Sequence, residues 1–546
     1  MLLEQVESKA IALRRSSEWP RGLLAIGLGV LSWSINNLNV LRAQIQAPVG
    51  THPSWTPREM DIAQHLTWVN GMRQSLVIPN YHMPAVTVPG FFSPLMALVG
   101  QATKLGIDGS AAYAAAEVLF GILSVYCILI CLRHFLESRR QIAGAVIIML
   151  GGIPLVLSLN VWHALRGEES GTPNFFLGDG LFVNGALGTT LGTACVYASL
   201  ILVTRYLISG RRRYLYWTGA VAVLSGLGHP FEVFTIAGAT VLTLIVLRWP
   251  SLRTAFKESM VVVVPAILGV LPYVYFSLKI PWMRHVAEQN KYPVPDLLHL
   301  LGMLGIPVAF VLFNLIIGPR LRSTSDVVLQ CWFAATLVVL HIPKLPFVAH
   351  MADGLGLVTA MLAVRQITGV PYLRNWVALR PRLALAVAAL VLAPAIFAQV
   401  GMRCLLFRSG LQIHNPFGMS ALSSQPEYDL IRWFRHNASV HDLVIAPGFE
   451  TSFMLATAPV HTIASHYLFS GTYDVQSGLR DSFYRGDWTD RASLDFLQTR
   501  GINYVVVPEG SPVHRFLGAY PKAAVFPPFT LYHLAGNHMP DRLPEP

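Results

Sequence analysis

The run Thr56-Pro57-Arg58-Glu59-Met60-Asp61-Ile62-Ala63-Gln64-His65-Leu66 carries the densest set of chemistry-bearing side chains in the chain. Pro57 suits the first turn of a helix and Thr56 suits its cap. Asp61 and His65 then stand four residues apart, on one helix face. A carboxylate there can accept a proton and an imidazole can carry one. Ile62, Leu66 and Val69 form an apolar stripe that is expected to lie on the membrane. The plain alternative is a surface helix with solvated charges. Asp61 and His65 with Glu168 or Glu169 could ligate a metal, but one histidine without a close-spaced cluster is a weak signal, so no metal site is assigned.

Other ionisable residues recur at apolar boundaries. Glu168, Glu169 and Asp179 follow in a second loop, and Glu232 follows the His229-Pro230 turn. Asp353 lies just after Lys344 and His350, and Glu117 lies within an apolar segment. Ionisable groups at such depths are costly to bury and are functional candidates. The alternatives are an interhelical polar contact for Glu117 and helix-end charges reaching water for Glu232 and Asp353. No phosphate-binding glycine loop, Gly-x-Ser-x-Gly elbow or His-Glu-x-x-His helix is present.

The elements that must position these residues follow from composition. Of 546 residues, 53% are hydrophobic and 13% charged, about half the usual soluble share of roughly 25%. Mean hydropathy is +0.50. So few charges cannot cover a soluble surface, which makes the chain a multi-span membrane protein. The net charge of +11 is unevenly placed: residues 1–405 carry +13 and residues 406–546 carry −2. A basic excess in the hydrophobic part reads as topology, not nucleic-acid binding. All five cysteines lie in or beside apolar segments, so no disulfide framework is expected.

Apolar segments at 22–41, 111–132, 142–161, 186–207, 214–228, 231–248, 259–278, 299–317, 327–342, 347–367 and 383–405 give eleven expected spans. The first is taken as a retained span, because no small-residue cleavage site follows its long basic lead. Residues 91–106 are too short to span and read as an interfacial helix. Arg and Lys gather in alternate loops, which places the N-terminus in the cytoplasm and puts the first loop, 43–110, and the tail, 406–546, outside. The tail alternates helix and strand: Glu427–Asn437 helical, Asp442–Ala446 extended, Glu450–Ala458 helical, Val460–Ile463 extended, Ser493–Arg500 helical, Tyr504–Val507 extended, then two short strands around Phe526-Pro527-Pro528-Phe529. The expected fold is an all-α polytopic domain of about eleven helices (1–405) followed by a small, separate α/β domain (406–546).

At this point the chain resembles the GT-C superfamily, the multi-span glycosyltransferases that use lipid-linked sugars. The resemblance rests on Asp61 in a long first loop and on the run Pro89-Gly90-Phe91-Phe92-Ser93-Pro94-Leu95. It also rests on the Gly228-His229-Pro230 turn and on Ala464-Ser465-His466-Tyr467 through Gly501-Ile502-Asn503-Tyr504 in the tail. Three departures stand out. Glu59 and Asp61 are separated by Met60, the tail has no Trp-Trp-Asp, which argues against an oligosaccharyltransferase, and His350 stands where relatives often have arginine.

The resemblance implies an inverting glycosyltransferase of the bacterial inner (cell) membrane, moving a sugar from a polyprenyl-phosphate donor to a glycan, lipid or protein hydroxyl at the outer face. It makes Asp61 the base and Glu168, Glu169 or Asp179 a second acid. Arg58, Lys344 and His350 would lie by the phosphate, and Glu59, His65, His229 and Glu232 would contribute to substrate binding. A divalent cation, Mg or Mn, is compatible with such a site. The expected partners are the lipid-linked donor, the acceptor and the bilayer, with no nucleic acid. A transporter or flippase would be expected to show two related halves, and none is visible. A non-catalytic scaffold would leave Asp61 without effect on any activity.

Overall fold

The computed structural model describes residues 19–57, 60–83, 89–151, 187–289, 306–317, 323–346, 348–380, 421–466 and 472–534, with 291, 469 and scattered positions from 382 to 412. Most of it is helical. Eight helices carry the argument: α1 (Met60–Met72), α2 (Pro94–Ala102), α3 (Gly109–Phe135), α4 (Leu187–Ser209), α5 (Arg213–Gly228), α6 (Glu232–Arg248), α7 (Thr324–Leu340) and α8 (Leu355–Gly369). α3 starts where the Asp108 carboxylate accepts the Ser110 N–H, and runs 27 residues, about 40 Å at 1.5 Å per residue.

Among the described residues, three helices are long and apolar enough to cross a membrane: Gly109–Phe135, Leu187–Ser209 and Leu252–Lys279. Two bent pairs, at 22–46 and 350–379, raise that number to five. The sequence led to an expectation of eleven. The difference is mainly one of length: α5, α6 and α7 hold only 16 or 17 residues, short of the roughly 20 that a bilayer core requires. Helix is nevertheless present at each expected segment where the residues are described.

α4 is the central strut and is buried along most of its length. Its small residues, among them Gly188, Thr190, Gly192, Thr193 and Ala194, let α3, α5 and α6 approach its backbone closely. α1 corrects an expectation. Ile62, Leu66 and Val69 do not face lipid; they are buried at 6%, 6% and 0% exposure, in a core shared with Ile78, Tyr81, Phe91 and Leu95. A stripe that buries apolar surface in protein looks the same in sequence as one that buries it in a membrane. α2, capped by the Ser93 hydroxyl, packs against α1.

The tail forms a five-stranded sheet. With β1 (Thr51–Pro53) and β2 (Leu422–Ser424) set aside, its strands are β3 (Leu443–Ile445), β4 (His461–Thr462), β5 (Tyr504–Pro508), β6 (Lys522–Phe526) and β7 (Phe529–His533), in the order β4-β3-β5-β7-β6. β4, β3 and β5 are parallel, and β7 and β6 complete the sheet antiparallel. The period of two sends Val505 and Val507 to one face, against Phe483, Leu494 and Leu497, and Val506 to the other, against Leu430 and Phe434. The helix Tyr473–Arg485 on the first face was not foreseen.

This sheet does not stand apart from the helical part. β1, from the 43–110 loop, pairs antiparallel with β2, at the start of the tail. The Asn70 amide donates to Thr457 O at 2.6 Å, and the Thr462 N–H donates to Tyr81 O at 3.0 Å. The loop that carries Asp61 is therefore stitched to the tail at several points.

Candidate active site

Three stretches far apart in sequence meet at the first-loop end of the helices. α1 contributes Asp61 and His65. The α5–α6 turn contributes His229 and Glu232, with Glu232 in the first turn of α6. A short 3-10 helix, Val348–Ala352, contributes His350, and Asp353 follows it. Gly354 then opens α8 with φ +90°, a conformation that L side chains rarely adopt, and its Cα sits so close to α4 that a Cβ would lie 2.5 Å from Val196 Cγ1. The tightness of that turn sets His350 and Asp353 against the α5–α6 turn.

The contacts are specific. His229 Nδ1 and Glu232 Oε1 are hydrogen-bonded at 2.6 Å. The His229 and His350 rings meet edge to face at 5.2 Å, and Phe231 stacks on His350 at 5.3 Å. The Thr235 hydroxyl donates to Met351 O at 2.6 Å, fixing the 3-10 helix to α6. His350 Nδ1 lies 3.9 Å from Asp353 Oδ2. On α1, His65 Nδ1 and the Tyr113 hydroxyl are 2.8 Å apart, and Leu187 N–H donates to the same hydroxyl oxygen. The phenol proton is thereby directed to His65 Nδ1, and the ring proton to Nε2.

Electrostatics distinguishes the two α1 groups. Burial pushes the His65 imidazole down to about 4, and His350 pushes the same way, so His65 is neutral at physiological pH. Asp61 opens to solvent, yet the protein around it desolvates its carboxyl and raises it above the usual value, with His350 opposing. A carboxylate held above its ordinary value is a stronger base than a solvated one. His65 and His350 both act on His229 through space, so all three histidines belong to one cluster.

The structure thus gathers Asp61, His65, His229, Glu232 and His350. Arg58, Glu59, Glu168, Glu169 and Asp179 lie outside the described residues. Lys344 stands exposed in the turn after α7, with φ +64°, and no hydrogen bond or ion pair joins it to the cluster among the described residues. Glu117 takes the interhelical role, accepting a hydrogen bond from Trp33 Nε1 at 3.3 Å. Tyr113 was missed, because a tyrosine within an apolar run carries no signal of its own. The sequence offers Asp61, His65 and Glu168 or Glu169 as a weak metal set. The loop acids of that set lie outside the described residues; among the described residues, His229, Glu232 and Asp353 form a group that could hold an ion.

No protein-family profile matches the chain, and no curated protein matches it. Solved structures do. The oligosaccharyltransferase of Archaeoglobus fulgidus, tethered to an acceptor peptide, superposes with a TM-score of 0.52 at 12% identity, over 90% of this chain and 70% of that one. The oligosaccharyltransferase AglB from the same organism, in complex with an inhibitory peptide and a dolichol-phosphate, gives 0.50 at 13% identity over the same shares. ArnT from Cupriavidus metallidurans, bound to undecaprenyl phosphate, gives 0.49 at 12%, over 96% and 100%. The chain has the GT-C fold.

In this chain a second histidine cluster seals the seam between the 43–110 loop and the tail. His82, His461 and His466 are all fully buried. His82 Nδ1 and Ser465 Oγ are 2.7 Å apart, Thr462 donates to the same Oγ at 2.6 Å, and the His82 and His466 rings meet at 5.3 Å. Burial lowers His82 well below its ordinary value, with His466 and His461 adding to the effect; it takes His461 to about 4 and His466 to about 3.

The unfolded chain binds these protons near 6.5 and the folded one much lower. The seam's contribution is therefore complete above about pH 6.5 and is lost as pH falls from there toward about 4. The melting temperature is expected to drop between pH 7 and pH 5, and a His82→Gln, His466→Gln double variant should flatten that drop. An unaltered pH slope in the double variant would show that the seam does not titrate.

Proposed function

We propose that this protein is a membrane glycosyltransferase that moves a sugar from a polyprenyl-phosphate donor to an acceptor hydroxyl at the outer face. The observation that carries the reading is the convergence of Asp61 and His65 with His229, Glu232 and His350 at one end of a GT-C fold. AglB, which shares the fold, has been solved with a dolichol-phosphate and a peptide. Here a lipid-linked donor would bring its anomeric carbon to the edge of the bilayer, beside the α1 helix.

Asp61 is the base of this proposal. It takes the acceptor proton as the acceptor oxygen bonds to the anomeric carbon. The bond from that carbon to the phosphate oxygen breaks, and its electron pair leaves with the polyprenyl phosphate. Displacement from the opposite face inverts the anomeric centre. His350 and Lys344 serve the phosphate side, with Arg58, and His65, Glu59, His229 and Glu232 shape the pocket. Glu168, Glu169 or Asp179 supplies a second acid. The tail lacks a Trp-Trp-Asp run, which favours an acceptor other than a glycosylation sequon. The test is transfer of a radiolabelled sugar from synthetic polyprenyl-phosphate donors to extracted envelope acceptors by purified protein. No transfer from any such donor would end the reading.

The proposed topology has eleven spans, a cytoplasmic N-terminus, residues 1–405 as the membrane domain and 406–546 as the outer domain. It rests on the alternation of Arg and Lys between loops. Reporter fusions after Arg140, Arg213 and Arg322 are expected to read cytoplasmic, and one after Gly410 external. A cytoplasmic reading at Gly410 would put Asp61 on the wrong side for an exported acceptor.

A further inference from the structure

The cluster contains the same short pattern twice. His229-Pro230-Phe231-Glu232 and His350-Met351-Ala352-Asp353 both place an acid three residues after a histidine. Each pattern ends at the start of a helix, and the two are brought face to face. His229, Glu232 and Asp353 each offer one donor atom, all within 4.8 Å of one another. We propose that these three residues bind a divalent transition-metal ion, with His350 at the edge of the site.

Several observations support this. Glu232 is fully buried and Asp353 is 8% exposed, so the two acids share an interior position. Asp353 Oδ2 makes no hydrogen bond among the described residues, and His350 Nδ1 stands 3.9 Å from it. A buried carboxylate oxygen in that state carries a large desolvation cost, which a cation offsets directly. The ion's double charge also balances the two carboxylates.

The wall behind the trio is made to leave room. A Cβ on Gly192 of α4 would fall 2.3 Å from the Glu232 carboxylate, and one on Gly188 would fall 2.8 Å from the His229 ring. Any larger residue at either position would displace a donor. The donor set selects the ion: one or two imidazoles with two carboxylates suit Mn2+, Fe2+ or Zn2+, whereas Mg2+ and Ca2+ favour all-oxygen shells. The site ties the α5–α6 turn to the start of α8, two stretches more than a hundred residues apart that otherwise meet through ring contacts and the Thr235–Met351 hydrogen bond.

The inference goes beyond sugar transfer, and its test needs no donor or acceptor. Full-length protein, stripped with chelator and purified in detergent, is titrated with Mn2+ while the free ion is followed by electron paramagnetic resonance. Wild type is expected to take up a single Mn2+ per chain, displaced by Zn2+ but not by a tenfold excess of Mg2+. Asp353→Asn and Glu232→Gln should each weaken binding by at least about tenfold, a minimum set by the effects of outer-shell partners alone. Asp61→Asn should bind as wild type does. Added Mn2+ should raise the melting temperature of wild type and not that of Asp353→Asn. No uptake of Mn2+ or Zn2+ by wild type would overturn the proposal even if a variant failed to fold. So would binding that survives both ligand substitutions, or that is lost with Asp61→Asn alone.

Discussion

Asp61→Asn is expected to abolish sugar transfer while the protein still folds and inserts. Asparagine keeps the volume of the side chain and one acceptor oxygen but cannot take a proton at neutral pH. A general base contributes about 10²–10⁴-fold, far above the effect of a surface charge. The surroundings support a large loss: the protein around Asp61 desolvates its carboxyl and holds it above the ordinary range, against an opposing pull from His350. The basic form is needed, so the rate should rise with pH through a limb that lies above the usual carboxylate value, and Asp61→Asn should remove that limb. His65, neutral above about 4, adds no limb near neutrality. If Asp61 is only a solvated helix charge, the substitution costs under about 0.5 kcal/mol and leaves the rate alone. Near-normal transfer by the purified variant would therefore rule out Asp61 as the base.

Arg365→Met should be the most destabilising of the substitutions considered, and it lies away from the cluster. The guanidinium donates to Asp326, to Phe135 O and to Ser323 Oγ. Asp326 also accepts from the Ser323 N–H and hydroxyl, in the capping box that starts α7. One side chain thus holds α3, α7 and α8 together. With side-chain exposures of 15% and 6%, the pair is nearly buried. Removing the arginine strands a buried carboxylate and should cost about 3–5 kcal/mol, a large part of a typical total of about 5–15. The melting temperature and the monodisperse fraction on size exclusion read the loss. Adding Asp326→Asn to Arg365→Met should recover part of it, because no charge is then left unpaired. Position 365 lies 11 residues along α8 from Gly354, about 16 Å at 1.5 Å per residue, so surviving protein should keep its transfer rate. A melting temperature within a degree of wild type would mean that water already reaches the pair.

Much of this was legible in the sequence because hydrophobic period and charge placement are local signals. The helical segments, the turn at His229-Pro230, the short helix after Ser93 and all eight tail elements expected from sequence follow from residues within a few positions of one another. What escaped was of two kinds. The first was direction: Ile62, Leu66 and Val69 mark a buried face but not what buries it. The second was convergence. His229 and His350 are far apart in sequence, and neither has an apolar period that reports the other. A signal did exist in the repeated His-x-x-acid spacing, since two such patterns at helix starts are suited to facing one another. The helix Tyr473–Arg485 was hidden by its polar composition and by Gly478 in its middle.

The pairing of β1 with β2 has a consequence for the order of events during synthesis. Asn70 reaches a carbonyl 387 residues further along the chain. At about 5–20 residues per second, the ribosome needs roughly 20–80 s to make that stretch. Through that interval the helix bearing Asp61 waits without its final clamp, and the apolar side chains beneath it have only α2 and the early spans for cover. The tail, made after the early helices, is therefore the part that clamps the helix bearing Asp61. A stalled chain can insert its early helices and still hold Asp61 loosely, without the clamp that Thr457 supplies to Asn70.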